Sequence, residues 1–326
     1  MKFIIPNYSL PDNFAENVAF TLRLMGHEVL TAPKPVQLIN DKLMHLMQLS
    51  FEKFFPESLT PQEKWLLKVY KEYKPDVVLT LTQSINEEVL LALKKQGIIT
   101  ACWWGDTPAN MRKQGLLCNG WDFIFIKDKY AAFKLKTLGL NAFYLPEAMN
   151  PQWHKKCYTT LDNSLLFAGN TYDYRHYLIF KLMEAGIKDI KLYGQRPPRW
   201  AKKEVKELFL NKFIVKEEKA FHFGSSFACI NSTAMTEGNS LNCRTFEIAG
   251  CGALQIMEYR PALEDCFEPE KEIVTYSSFD ELLFKIDYYK KDAVKAMAVR
   301  NGGYDRAVKE HTYQHRLNTI INKILE

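Results

Sequence analysis

Short apolar runs alternate with longer amphipathic stretches along most of the 326 residues. Lys2–Ile5 closes at Pro6 and gives way to a polar loop. NFAENVAFTLRLMGHEVL then sets Phe14, Val18, Leu22 and Leu24 on one helical stripe, with Gly26 as its stop and HEVLTAP as the next strand. Strand, loop, helix, strand is the opening of a doubly wound α/β domain. Thr60 reads as the cap of a helix over Pro61–Tyr73, PDVVLTLT as a buried strand, and Ile85–Lys95 as a helix ending near Gly97. ITACWW, WDFIFI and NAFYL supply three more strands, with a helix over KDKYAAFKLKTLGL. Val36–Phe55 is an apolar-rich helical stretch, which can pack on its own domain or offer a face to a lipid-linked acceptor or partner.

The pattern lapses in NPQWHKKCYTTLDN and then starts again. SLLFAGN, DIKLYGQ, FACINST, ALQIM and EIVTYSS read as strands. TYDYRHYLIFKLMEAGI, Phe279–Tyr289, Ala293–Asn301 and a final stretch from about Tyr304 to Leu325 read as helices. The expected organisation is an amino-terminal Rossmann-like domain (1–149), a linker (150–163), a second Rossmann-like domain (164–305) and a carboxyl-terminal helix (306–326), with parallel sheets facing each other across a cleft.

Between Glu237 and Met257 the second series carries its most distinctive stretch, EGNSLNCRTFEIAGCGALQIM. Turn-prone residues run into a short helix, and Gly250 and Gly252 stop it before a buried strand. Ser240 or Asn239 can cap that helix, whose first-turn N–H groups, lacking intrahelical acceptors, then favour an anion such as a phosphate. Arg244 and Glu247, three residues apart, offer a cation for a diphosphate and a carboxylate for a pair of sugar hydroxyls. The same spacing also describes a solvated surface pair.

Composition narrows the class. With 47% hydrophobic and 25% charged residues the chain is that of a globular protein. A net charge of +5 suits phosphorylated ligands, but no dense basic run supports nucleic-acid binding. Seven scattered cysteines, with no CxxC pair and no Cys/His cluster of ligand spacing, indicate reduced thiols in a cytoplasmic protein and no metal site. The amino terminus breaks at Pro6 before a signal-peptide core could form, and no run of eighteen apolar residues occurs. The first strand–loop–helix unit lacks GxGxxG, so no dinucleotide cofactor is expected.

Taken together, NSLNCRTFEIAGCGALQIMEYRPALEDCFEPEKEIVTYSSFDELLFKIDYYKKD and EHTYQHRLNTII resemble the donor-binding half of the CgeB-like (spore maturation protein) glycosyltransferases. NFAENVAFTLRLMGHEV, KPDVVLTLT, WWGDTP and LLFAGNTYDYR are similar to the rest of that family, so the resemblance spans nearly the whole chain and is densest from Asn239 to Arg316. It implies a GT-B fold, a nucleotide-sugar held mainly by the second domain, an acceptor held mainly by the first, and no essential metal. In one respect the sequence departs from the pattern. Many retaining enzymes of this fold carry two glutamates eight residues apart; here Asn239 stands eight before Glu247, and Glu237 is out of register. The stereochemical outcome is therefore left open.

On that footing Arg244 and the Asn239–Asn242 backbone, with Ser240 and Asn242, are expected to meet the diphosphate, and Glu247 the ribose. Gly169 and Asn170 end one strand and allow close approach of a ligand; Arg175 can reach the diphosphate; Tyr193 and Gly194 end the next strand, where a base could stack. Each has a plain alternative as a turn, a solvated arginine or a core tyrosine. On the acceptor side stand Ser9, Asn13 and Trp104, with Asp106 as the base of an inverting reaction or the holder of a turn. His176, His311 and His315 fit packing and capping better. The expected activity is hexosyl or deoxyhexosyl transfer to a glycan, lipid-linked or protein hydroxyl, in the cytoplasm, in bacterial surface-glycan synthesis, with association with the inner face of a membrane left open. An epimerase and a non-catalytic nucleotide- or sugar-binding protein are the alternatives.

Overall fold

A computed structural model describes residues 1–34, 47, 50, 54–55, 58–111, 115–157, 159–170 and 173–326. The helix expected over Val36–Phe55 lies outside these residues but for scattered positions. The chain divides into two compact units, Met1–Leu145 with Leu317–Glu326, and Pro146–Arg316.

The first unit is a six-stranded parallel sheet, ordered β2-β1-β3-β4-β5-β6. Its strands are β1 (Lys2–Tyr8), β2 (Glu28–Ala32), β3 (Val77–Leu81), β4 (Ile99–Trp104), β5 (Phe123–Ile126) and β6 (Ala142–Tyr144). Its helices are α1 (Phe14–Leu24), α2 (Pro61–Tyr73), α3 (Glu87–Lys94) and α4 (Lys129–Thr137). β3 is buried at every position, as a central parallel strand covered on both faces must be. Thr60 and Glu63 make a reciprocal capping box at the start of α2, satisfying two backbone N–H groups that the first turn leaves open. Pro6 does not end β1, which runs on to Tyr8; its pairing with β2 is irregular between Ile5 and Tyr8, which accommodates a residue that cannot donate to the ladder.

The second unit is a five-stranded parallel sheet ordered β11-β10-β9-β7-β8. It comprises β7 (Leu165–Ala168), β8 (Ile190–Tyr193), β9 (Ala228–Asn231), β10 (Gln255–Glu258) and β11 (Val274–Tyr276). The helices are α5 (Asp173–Glu184), α6 (Lys203–Glu207), α7 (Lys216–Ser225), α8 (Cys243–Gly250), α9 (Phe279–Lys291) and α10 (Ala293–Glu310), followed by α11 (Tyr313–Leu325). Phe167, Ile179, Leu192, Ile230, Ile256, Val274 and Leu282 sit in the core beneath α5 and α9. α6 and α7 are not evident from the apolar pattern. The expected break near Asn301 is absent, and α10 instead runs unbroken to Glu310 before the chain bends at His311 and Thr312. All seven cysteines are free, five of them buried; burial pushes the Cys102 and Cys229 thiols up to about 12.

Candidate functional site

Parallel strands place all their carboxyl ends on one edge of a sheet, so the loops after β7, β8, β9 and β10 are neighbours there. Gly169, just past β7, has φ +107°, and Gly194, just past β8, has φ +119°. These values exclude L side chains, and the space excludes them too. A Cβ on Gly194 would lie 2.4 Å from the Gly169 carbonyl oxygen, and one on Gly169 would lie 2.5 Å from Nη2 of Arg244. Two bare backbones thus stack and the Arg244 guanidinium lies directly against the second. Arg244 is half-buried, and among the described residues no hydrogen bond or ion pair engages it.

Arg244 is the second residue of α8. The cap of that helix is neither Ser240 nor Asn239, as the sequence suggested, but Asn242, whose Oδ1 accepts the Thr245 N–H at 3.1 Å. The other two are committed elsewhere: Asn239 Oδ1 accepts from Ala262 N–H (3.3 Å), and Ser240 Oγ donates to the Glu237 carbonyl (3.0 Å). Asn242 is fixed in turn by Asn231 at the end of β9, the two amides exchanging bonds of 3.0 and 3.1 Å. The helix therefore starts where β9 dictates. The N–H groups of Cys243 and Arg244, in its first turn, meet no acceptor among the described residues and sit beside the guanidinium, a positive end suited to an anion.

Glu247 does not pair with Arg244. It is buried, its carboxylate 3.0 Å from Lys219 Nζ on α7 and 3.8 Å from His154 Nε2. His154 Nδ1 accepts the Asn150 N–H at 3.1 Å, which leaves the ring proton on Nε2, toward the carboxylate. A carboxylate has more acceptor sites than these two contacts use, which leaves capacity for hydroxyl groups. Lys219 and His154 carry no motif in the sequence; only the fold brings them to Glu247.

Arg175 is neither solvated nor free to approach a ligand. It is buried, with Nε donating to Ser232 Oγ (2.9 Å), Nη2 to the Ser232 carbonyl (2.5 Å) and Nη1 to the Asn170 carbonyl. It ties the loop after β7 to the loop after β9. Tyr193 is a core residue: its ring lies 4.7 Å from that of His222 and its hydroxyl 3.3 Å from His222 Nδ1, and burial raises its pKa. A base could stack on this ring only if the packing opened. His176, also buried, accepts the Lys202 N–H at 2.8 Å, and burial, then Lys202, lowers its pKa.

In the first unit the expected acceptor-side residues are engaged locally. Asn13 caps α1, accepting from Glu16 N–H (2.8 Å) and donating to the Tyr8 carbonyl (2.8 Å). Ser9 is exposed. Trp104 is buried in the core, with Nε1 3.4 Å from the Thr107 carbonyl. Asp106 accepts from the Thr107 N–H (2.7 Å) and from Asn110 Nδ2 (2.8 Å), so both its oxygens brace the loop after β4.

Residues 175–322, a little under half of the chain, match the family model described as glycosyl transferase-like. Over 275 residues the chain is 23% identical to spore protein CgeB of Bacillus subtilis (strain 168), covering 78% of this chain and 84% of that one. Among solved structures it is similar to sucrose-phosphate synthase of Thermosynechococcus elongatus (TM-score 0.70, 11% identity, 99% of this chain and 98% of that one). It is likewise similar to Anabaena Alr3699/HepE, solved with UDP and glucose (TM-score 0.69, 11% identity, 99% of each). No helix among the described residues is long and apolar enough to cross a membrane. With two Rossmann-like parallel sheets, a glycosyl transferase-like second half and this curated relative, the chain resembles the CgeB-like glycosyltransferases of GT-B type.

Proposed function

We propose that the protein is a metal-independent glycosyltransferase that moves a sugar from a nucleoside-diphosphate sugar to a hydroxyl acceptor. The observation that carries this is Arg244, a cation that no hydrogen bond or ion pair engages among the described residues, laid on the bare backbone of Gly169 beside the open first turn of α8. Departure of a nucleoside diphosphate builds negative charge on the β-phosphate, and fixed donors aimed at that position stabilise it without reorganising. Arg244 and the Cys243 and Arg244 N–H groups supply such donors, and Glu247, held in place by Lys219, takes the ribose hydroxyls. Gly169 and Gly194 admit the phosphates to the backbone. Arg175 orders the loop that carries Asn170. Asp106 is the base if the anomeric centre inverts; a retaining path needs none.

UDP and UDP-glucose are the first compounds to test, because a protein of the same fold was solved with UDP and glucose. Both are expected to raise the melting temperature, with and without EDTA. Arg244→Ala should lower donor-dependent transfer by roughly tenfold to a hundredfold, the equivalent of one charge-assisted bond lost in the transition state, at unchanged stability. A protein that no uridine, guanosine, thymidine or cytidine diphosphate compound stabilises is not such an enzyme.

A further inference from the structure

The roles above leave one arginine at the same edge unused. Arg260, two residues past β10, is largely buried. Its Nη1 donates to the carbonyls of Gly238 (3.1 Å) and Ser240 (2.6 Å). Its Nη2 donates to Thr233 Oγ1 and lies 3.3 Å from Glu258 Oε1. Glu258 Oε1 in turn accepts the Thr233 N–H at 2.8 Å, together with the Thr233 hydroxyl. The pair therefore grips the loop between β9 and α8 at both ends: at Thr233, just after the strand, and at Ser240, two residues before the cap Asn242. Within that loop Gly238 takes φ +57°, the Glu237 N–H donates to the Ala234 carbonyl and the Ser240 N–H to that of Glu237 (3.3 Å). The segment after β10 adds the grip of Arg260 from outside the loop.

A guanidinium can hold several acceptors in one plane because its donors are rigidly forked. Two carbonyls, a hydroxyl and a carboxylate on one such group fix the approach to α8 in direction as well as position. We propose that Arg260 is a positioning residue for nucleotide binding: through Ser240 and Gly238 it holds the segment that leads into the Asn231–Asn242 cap of α8, and so steadies the Cys243 and Arg244 N–H groups and the Arg244 side chain. This rests on the diphosphate being held there.

Arg300 gives the matched control. It is more deeply buried and also ties carbonyls, those of Gly224 (3.2 Å), Ser226 (2.5 Å) and Phe227 (3.0 Å), but these precede β9 and lie at the amino end of the sheet. The experiment measures UDP affinity by calorimetry for the wild type, Arg260→Ala, Arg260→Lys, Thr233→Val and Arg300→Ala, well below each melting temperature. Amide exchange over residues 233–244 is followed alongside. Arg260→Ala is expected to weaken UDP roughly tenfold and to speed exchange across that loop, Arg260→Lys to recover part of the loss, and Thr233→Val to cost about threefold, since each removes a different number of charge-assisted bonds. Arg300→Ala should lower the melting temperature yet bind UDP within about twofold of the wild type, since its bonds end at the other edge. If Arg260→Ala fails to fold, the Lys and Val variants carry the test. Wild-type affinity in the Arg260 variants, or an equal loss in Arg300→Ala, overturns the proposal while leaving the nucleotide site standing. A wild type that binds no nucleoside diphosphate removes both.

Discussion

At the carboxyl edge of the first sheet, polar side chains are answered close to home. Asn13 spans its own loop and caps α1; Asp106 uses both oxygens on Thr107 and Asn110. At the carboxyl edge of the second sheet the bonds are of longer range and incomplete. Arg175, Arg260 and Asn231 join three strand-end loops and a helix cap, yet among the described residues no hydrogen bond or ion pair engages Arg244. Polar groups fully bonded within a loop stabilise that loop. On the reading proposed above, a frame this heavily bonded around a cation that no described residue answers keeps a place for an anion, at some cost to the free protein.

The largest effect that would sharpen the contrast comes from Lys219. Replacing it by Met takes the lysine from the buried Glu247 carboxylate and leaves it beside His154, and removal of one partner of a buried pair costs about 3–5 kcal/mol. Urea unfolding should show a loss of that order, largely recovered when Glu247→Gln is added. A Lys219→Met protein within about 1 kcal/mol of the wild type would mean that Glu247 is not held as described.

Next in size is the response to acid behind α8. His311 is buried against Phe246 of that helix and Phe267, with ring centroids at 5.4 and 4.9 Å. Its Nε2 gives its proton to the Cys266 carbonyl (2.6 Å), and its Nδ1 accepts from Arg316 (2.8 Å). A second proton would face that guanidinium. Burial first, then Arg316, lowers the His311 pKa from 6.5 to about 4, with Glu310 opposing. As the pH falls through 6.5 the unfolded chain takes up a proton that the folded one refuses, so this residue's contribution to stability is complete above 6.5 and is lost down to about 4. The full loss is on the order of 3 kcal/mol. His311→Asn, which can keep both bonds, should flatten the slope between those limits, and equal slopes would show that the imidazole does not set it.

How much of this was legible follows from where each signal resides. The strand–helix alternation and the Thr60 start were visible because apolar period and cap chemistry are local. α7 was missed because KEEKAFHFGS is dominated by charge, its core residues being chiefly Ala220 and Phe223, three apart, in a helix of ten residues. The cap of α8 was misplaced among three eligible residues, because the choice is made by Asn231, eleven positions away. Arg244 and Glu247 were singled out by spacing, and the structure sets Arg244 in the first turn of α8 and Glu247 one turn further on. Their partners were not, since Gly169 and Lys219 arrive from β7 and α7. Trp104 was placed at a ligand-facing edge by its position at a strand end; like Cys102, two residues earlier, its side chain points into the core.

The glycines test the second edge more finely. Gly194→Ala sets a Cβ against a backbone carbonyl that cannot move aside, at a φ unsuited to any L residue, and should cost about 2 kcal/mol or more in stability. Gly169→Ala meets the flexible end of Arg244 instead, so its expected signature is a smaller loss of stability with a displaced guanidinium and weaker UDP binding. If the two variants lose stability and affinity in the same proportion, the stacking of these backbones has been misread.

The smallest effect belongs to the first edge and closes the comparison. Asn13→Ala removes the cap of α1 and the bond to the Tyr8 carbonyl, a loss of about 1 kcal/mol, because the Glu16 N–H left open lies near water that can replace part of the bond. UDP affinity should not change, as no nucleotide contact is assigned to that loop. Transfer to an acceptor should fall only as far as the loop loosens, read as a rise in acceptor KM at constant kcat. An Asn13→Ala protein with full stability but impaired donor binding would reverse the division of labour drawn between the two edges.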